Sequence, residues 1–477
     1  MKERRRLTLP LATIGFLAPL IVILIMLRFK LDIKLAMAAG ITIECLYGIY
    51  LGCTWEELEE SAMKGISKVS QTVIVMMLIG MLIGVWLTAG SVQTLLYYGI
   101  NLIHPKLFLP LAFLICVITS LITGTSWGTA GTMGIALIGV AQGLGIPPEM
   151  AAGAIISGAL VGDKLSPLSD TTLLTSAVTE VKLFDHIMSL CYVTIPVSIV
   201  ATIIYTLLGW NIGGDTYSLT AIESLSAGLQ QSSKIGLLML VPLAFVLIAS
   251  AMRKPSIPVF AMGVAIGIIW SVLIQGHSMQ DVVNAAIKGF TSITGNESID
   301  KLLSRGGLMS MSGTIFLCIG AGMLSGVFEE TRVLATLVDH IRTIIKTAGS
   351  LVLSVTATCV AMMFGGAGQS CTLTLPAVAF REAFEEYNIH PAVLSRTLEC
   401  SGTVLGSLVP WDASAILYTG LFGVSVGQYL PYNYLALFSP TFAVITAYIG
   451  YGMFTKDEPI TMKKFFTLSK VSKNEVD

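Results

Sequence analysis

The chain of 477 residues has 54% hydrophobic and only 12% charged side chains, against roughly 25% charged in soluble domains, and its mean hydropathy is +0.81. That balance excludes an ordinary soluble globule, and a net charge of -1 gives no surface suited to nucleic acid. The eight cysteines lie singly with no CxxC pair, so neither a disulfide framework nor a zinc site is indicated, and no phosphate-binding P-loop is present to energise an ATP-driven pump.

In chain order, basic residues at Lys2, Arg4, Arg5 and Arg6 precede an apolar run over 7–27. The run is too long for a signal peptide and lacks a small-residue cleavage site, so it reads as an uncleaved first helix with a cytoplasmic N-terminus. Further spans of about 20 apolar residues are expected over 33–51, 69–89 and 187–209, with a broken one over 148–178. An uncharged piece over 107–146 is interrupted by a Gly/Thr/Ser tip at 123–131 and predicts a re-entrant hairpin of two half-length helices. After a polar stretch over 211–233, similar spans recur over 235–252, 257–275, 309–328 and 433–453, with a hairpin over 350–389 and a broken span over 391–414. The segments 54–68 and 278–290 read as short interfacial connectors or solvated loop helices.

That recurrence is an internal repeat. A shift of 244 places Gly124 on Gly368, Ser126 on Ser370, Pro147 on Pro391, Gly158 on Gly402 and Gly162 on Gly406, and a shift of 224 places Ala62, Lys64 and Gly65 on Ala286, Lys288 and Gly289. The expected fold is therefore an all-α polytopic membrane protein of two inverted repeats, each of about five transmembrane helices with a re-entrant hairpin and a broken helix. The boundaries are 1–210 for the first repeat, 211–233 for an extracytoplasmic linker, 234–455 for the second repeat and 456–477 for a cytoplasmic tail. The linker contains no Lys or Arg, whereas Arg253, Lys254, Arg332, Arg342, Lys346 and the basic tail fall inside, as the positive-inside rule asks. The loop from Arg28 to Lys34 departs from that rule. Paired broken segments in two halves point to a midplane binding site.

At the first break stands Gly162-Asp-Lys-Leu-Ser-Pro-Leu-Ser-Asp-Thr-Thr172. Charged groups at membrane depth face protein-lined cavities and mark ion or substrate paths, while Pro167 frees backbone carbonyls. Sodium takes hard oxygen ligands, and Asp163, Ser166, Ser169, Asp170, Thr171 and Thr172 supply them, with Thr125 and Ser126 at the hairpin tip to complete the shell. The two aspartates are the expected anchors of the ion; the hydroxyls can equally be helix-packing groups. Lys164 either neutralises Asp163 when the site is empty or snorkels from a helix end. Glu44 and Glu399 are carboxyls inside apolar spans, where a group can carry a proton; Arg396 and Glu399 can instead be a self-neutralising i, i+3 pair. Asp412, beside Trp411 at the second break, is expected to line the same cavity. Trp127, Gln369, Ser370 and Trp411 either flank an organic anion or pack the tips. No nucleophile with its base is legible, so an enzyme is not expected and no cofactor is called for.

This run, preceded by Gly124-Thr-Ser-Trp-Gly-Thr129, resembles the NhaC family of bacterial sodium/proton antiporters over nearly the whole chain. The resemblance implies a multi-pass protein of the bacterial cytoplasmic membrane, in contact with lipid, that exchanges sodium for protons by alternating access, as a homodimer moving by an elevator. Some members of that type resemble malate/lactate exchangers, so a sodium- and proton-coupled organic-acid exchanger stays open, and a cation channel is the more distant alternative.

Overall fold

The computed structural model describes residues 5, 7–29, 31–212, 219–252, 254–294, 300, 303–341 and 347–461. Of the expected topology markers, Arg253, Arg342, Lys346 and the tail beyond Thr461 lie outside the described residues, as do 213–218 of the linker. Among the described residues the chain is helical, with one isolated antiparallel bridge between Ile389 and Thr455. Seven helices are long and apolar enough to cross a membrane, or eight if the bent pair Ser226–Ser232 and Leu237–Ser250 is one span. The protein is a multi-pass membrane protein.

Three segments depart from the sequence expectation. The connector over 54–68 is not separate: Trp55–Thr88 is one 34-residue helix, opened by a Thr54/Glu57 capping box. Nothing between Ser61 and Val69 breaks the helical ladder, and the glycine there serves packing, since a Cβ on Gly65 would lie 1.9 Å from the Gly322 carbonyl oxygen. The limbs of the first hairpin are not half-length. Pro105–Thr123 has 19 residues, about 28 Å at the helical rise, and the return limb runs from Ser126 to Gly143 with a π-turn at Ala130–Gly134. Finally, the polar linker holds a 14-residue helix, Leu219–Ser232, tied to the Ser91–Leu102 helix by Asn101 Nδ2 donating to Ser226 Oγ at 3.1 Å.

The remaining elements follow the expected order. The connector over 278–290 is a short helix, Met279–Lys288, capped by Ser278 and burying Val282, Ala285 and Ala286. The second hairpin is Ala348–Phe364 and Gln369–Glu386. The first broken helix is Pro148–Leu165 followed by Asp170–Val178. The second is Pro391–Leu398, a π-segment Glu399–Thr403, a 3-10 turn Gly406–Leu408, and then Ala413–Phe422.

Lipid tails are as apolar as leucine, so helices in a membrane associate through close backbone approach and buried polar links. Two glycine-lined crossings show this. Trp55–Thr88 lies against Ser312–Thr331 at Gly65, Gly322 and Gly326. Pro148–Leu165 lies against the first hairpin limb at Gly158 and Gly162, where a Cβ would meet the Phe113 and Val117 carbonyl oxygens at 2.2 and 2.3 Å. Ser120 Oγ donates to Ala159 O at 2.6 Å in the same contact. The second crossing sets the hairpin tip beside the helix break.

Candidate ion and solute site

Gly124 ends the first hairpin limb with φ +70°, and a Cβ there would fall 2.5 Å from Leu168. The tip thus touches the break directly, and only glycine meets both the backbone angle and the space. Thr125 caps the return limb through Gly128 N, and Ser126 N donates to Asp163 Oδ2 at 3.1 Å. The hydroxyls of Ser126 and Ser169 stand beside the same carboxylate. Asp163 is 7% exposed and has no cationic side chain within 4 Å among the described residues. The carboxylate thus stands buried at a helix start with two hydroxyls beside it.

The other residues of the first break divide by role. Ser166 Oγ donates to Leu121 O at 2.9 Å, tying the break to the first hairpin limb, and Thr172 Oγ1 donates to Lys164 O at 3.2 Å across the break. Ser169 Oγ and Thr171 Oγ1 are 3.1 Å apart. Asp170, in contrast to Asp163, is exposed in the first turn of its half-helix. It opens onto a cavity of about 550 Å³ shared with Gln71, Thr123, Thr125, Pro167 and Lys254.

Lys164 does neither of the things expected of it. It is fully buried, so it does not snorkel, and its Nζ lies 3.3 Å from Cys400 Sγ and 3.1 Å from Ser439 Oγ rather than on Asp163. Adjacent positions on an α-helix point about 100° apart, which sends the two side chains to different neighbours. Arg396 and Glu399 are likewise not a pair. Arg396 Nη1 donates to Gly452 O at 2.8 Å, while Glu399 accepts from Thr175 Oγ1 at 3.1 Å and Thr403 Oγ1 at 2.6 Å. The helix is regular between them, and each side chain is turned to a different partner: the guanidinium to a backbone carbonyl, the carboxylate to two hydroxyls. Glu44 is buried and accepts from Thr331 at 2.9 Å on the Ile33–Leu51 helix, and it lines neither of the cavities at the tips.

The second tip and second break meet the first tip in a cavity of about 510 Å³. Trp127, Gln369, Ser370, Trp411 and Asp412, from three separate segments, all line it. Asp412 caps its half-helix by accepting from Ser414 N at 2.8 Å, and Trp127 Nε1 reaches Ser414 Oγ at 3.3 Å. Gln369 Nε2 donates to Thr403 O at 3.3 Å, and Trp411 Nε1 to Phe364 O at 2.9 Å. The far wall holds Lys68, Thr72, Ser325 and Glu329, with Lys68 and Glu329 paired at 2.5 Å. Sequence reasoning missed that wall because Lys68 fell in an expected surface connector. Away from the tips, Cys53, Glu57 and Glu330 bring ligand atoms within 4.8 Å of one another, a grouping from two distant segments that spacing does not reveal.

The Na+/H+ antiporter family matches over residues 4–210 and 158–451. The chain is 36% identical over 435 residues to the malate-2H+/Na+-lactate antiporter of Bacillus subtilis, covering 91% of this chain and 93% of that protein. It is 33% identical over 462 residues to the Na+/H+ antiporter NhaC of Alkalihalophilus pseudofirmus, covering 95% and 99%. A third relative, the arginine/ornithine antiporter ArcD of Halobacterium salinarum, is 33% identical over 453 residues, covering 94% and 92%. With both hairpins and both breaks inside the matched residues, the chain belongs to the Na+/H+ antiporter family.

Proposed function

We propose that the protein exchanges sodium for protons by alternating access, with sodium held at Asp163 and the hydroxyls of Ser126 and Ser169. The observation that carries this is the buried Asp163 carboxylate, which accepts from the Ser126 amide and lacks a cationic partner among the described residues. Such a carboxylate at membrane depth calls for a counter-ion. Asp170 is the entry carboxylate, concentrating cations at the mouth of the site from its exposed position. Replacing Asp170 with Asn therefore raises the half-saturating sodium concentration about three- to tenfold at low ionic strength, and the effect shrinks as an inert salt is added. A salt-independent loss of maximal rate would instead place Asp170 in the ion's inner shell.

A second substrate has its own supporting observation. A bare sodium ion does not need about 510 Å³, and that cavity offers the second amide hydrogen of Gln369 and the hydroxyls of Ser370 and Ser325 beside the Lys68–Glu329 pair. These are donors for an organic acid, the substrate type named for the Bacillus subtilis relative. Proton movement in proteoliposomes, read by an internal pH dye, separates the two. A response to sodium alone establishes the cation antiporter; one that needs malate or lactate as well establishes the organic-acid exchanger. In the second case Gln369→Ala raises the half-saturating malate concentration about tenfold, the loss of one hydrogen bond, and leaves the half-saturating sodium unchanged.

A further inference from the structure

Lys164 and Glu399 lie where the two broken helices meet, and neither belongs to the sodium shell. Glu399 is fully buried at the head of the π-segment, held by one hydroxyl from the first broken helix (Thr175) and one from its own turn (Thr403). No cationic side chain lies within 4 Å of it among the described residues. π-turns inside helices concentrate at functional sites. The charges it faces are Lys164 and Asp163 from Pro148–Leu165. Behind Lys164 stands His186 of the Leu183–Ile212 helix, whose Nδ1 is 2.7 Å from Ser395 Oγ and whose Nε2 has no partner among the described residues. Arg396 and Cys400 belong to its own segment. The helices Ala348–Phe364 and Tyr434–Ile449 bring no carboxylate or basic group, Gln369–Glu386 keeps its charges at Arg381 and beyond, and Asp170 is exposed.

We propose that Glu399 is the proton-carrying group, on a site separate from the sodium-holding Asp163, and that the two loads exclude each other through charge. The proposal rests on the assignment of sodium to Asp163. Each load adds one positive charge to the same buried cluster, which already contains the Lys164 ammonium. In a medium that screens poorly, a second added charge is strongly opposed. Sodium arriving at Asp163 therefore favours departure of the Glu399 proton to water, and a proton on Glu399 weakens sodium binding. That is obligatory exchange without a shared ligand, and only an O–H bond is made or broken.

The test combines two readouts in proteoliposomes: sodium-driven proton movement, and radioactive sodium counterflow, which needs no proton. Glu399→Gln, which fixes the neutral state, is expected to cut proton movement about tenfold or more, while counterflow persists at saturating sodium with a half-saturating concentration raised to the acid-form value and no longer dependent on pH. Thr403→Val, which removes a donor to the charged carboxylate, is expected to move the pH profile of exchange toward alkaline values. Undiminished proton movement in Glu399→Gln overturns the proposal. If that variant loses both activities, Thr403→Val decides, since a displaced profile upholds the proton site and an unmoved one overturns it. Counterflow that survives Asp163→Asn would overturn the sodium assignment instead, which keeps the two failures distinguishable.

Discussion

Asp163→Asn abolishes sodium-driven proton movement, by about a hundredfold or more, in a protein that still inserts and elutes as a single species. Asparagine keeps an oxygen to accept from Ser126 N, so the contact between tip and break survives. What disappears is the negative charge. Removing one partner of a buried ion pair costs about 3 kcal/mol or more, and at about 1.4 kcal/mol per tenfold sodium affinity falls out of the useful range. Asp163→Glu tests position against charge. The longer side chain drives its carboxylate into Ser126 at the tip and Ser169 at the break, so it restores little activity. Normal exchange in Asp163→Asn would show that the ion is held elsewhere.

Gly162→Leu removes the folded protein itself. A Cβ at that position would lie 2.3 Å from Val117 O, 2.6 Å from Leu121 N and 2.7 Å from the Ser120 side chain. Two of those neighbours are backbone and cannot rotate away. The Pro148–Leu165 helix must back off the hairpin limb, breaking the Ser120 to Ala159 bond and drawing Asp163, the next residue, away from Ser126. Over-packing at a backbone contact costs about 3 kcal/mol or more, a large share of a domain's stability. The expected result is a sharp fall in the monodisperse fraction in detergent and in Tm, with exchange lost in parallel. A substitution at Gly145, where nothing lies within 4 Å of a built Cβ, serves as the control, although its φ of +68° adds a small backbone cost. If Gly162→Leu were as stable as that control, the close crossing would not be what positions the site.

Much of the fold was legible because the bilayer imposes simple rules. A span must be apolar and about 20 residues long, and its backbone must be satisfied internally. The breaks at Pro167 and Pro410 and the tips at Gly124 and Gly368 show as local violations of those rules. Two of the hydroxyls that the sequence groups with Asp163, those of Ser126 and Ser169, stand beside it in the fold. Sequence was less informative where one residue type serves two ends. Gly65 falls in what the sequence offers as a connector, yet in the fold it is the point where Trp55–Thr88 meets Ser312–Thr331. Ser166 and Thr172 have the chemistry of sodium ligands, and in the fold their hydroxyl hydrogens go to the Leu121 and Lys164 carbonyls, contacts that spacing does not reveal.

The sequence by itself determined the class of the molecule, most of its long apolar helices, the four interruptions and which charged residues fall within apolar segments. Hydropathy, proline and glycine act locally, so their effects can be seen without a partner. Only the tertiary structure decided which way those charges point. Asp163 and Lys164 are neighbours in the chain, but the turn of the helix sends one to the first hairpin tip and the other to Cys400 and Ser439. Arg396 turns to the Gly452 carbonyl and Glu399 to the Thr175 and Thr403 hydroxyls, and Lys68 joins the cavity from a helix that sequence had divided. The energy of a buried charge depends on what lies across the interface, and that is settled by packing between segments hundreds of residues apart.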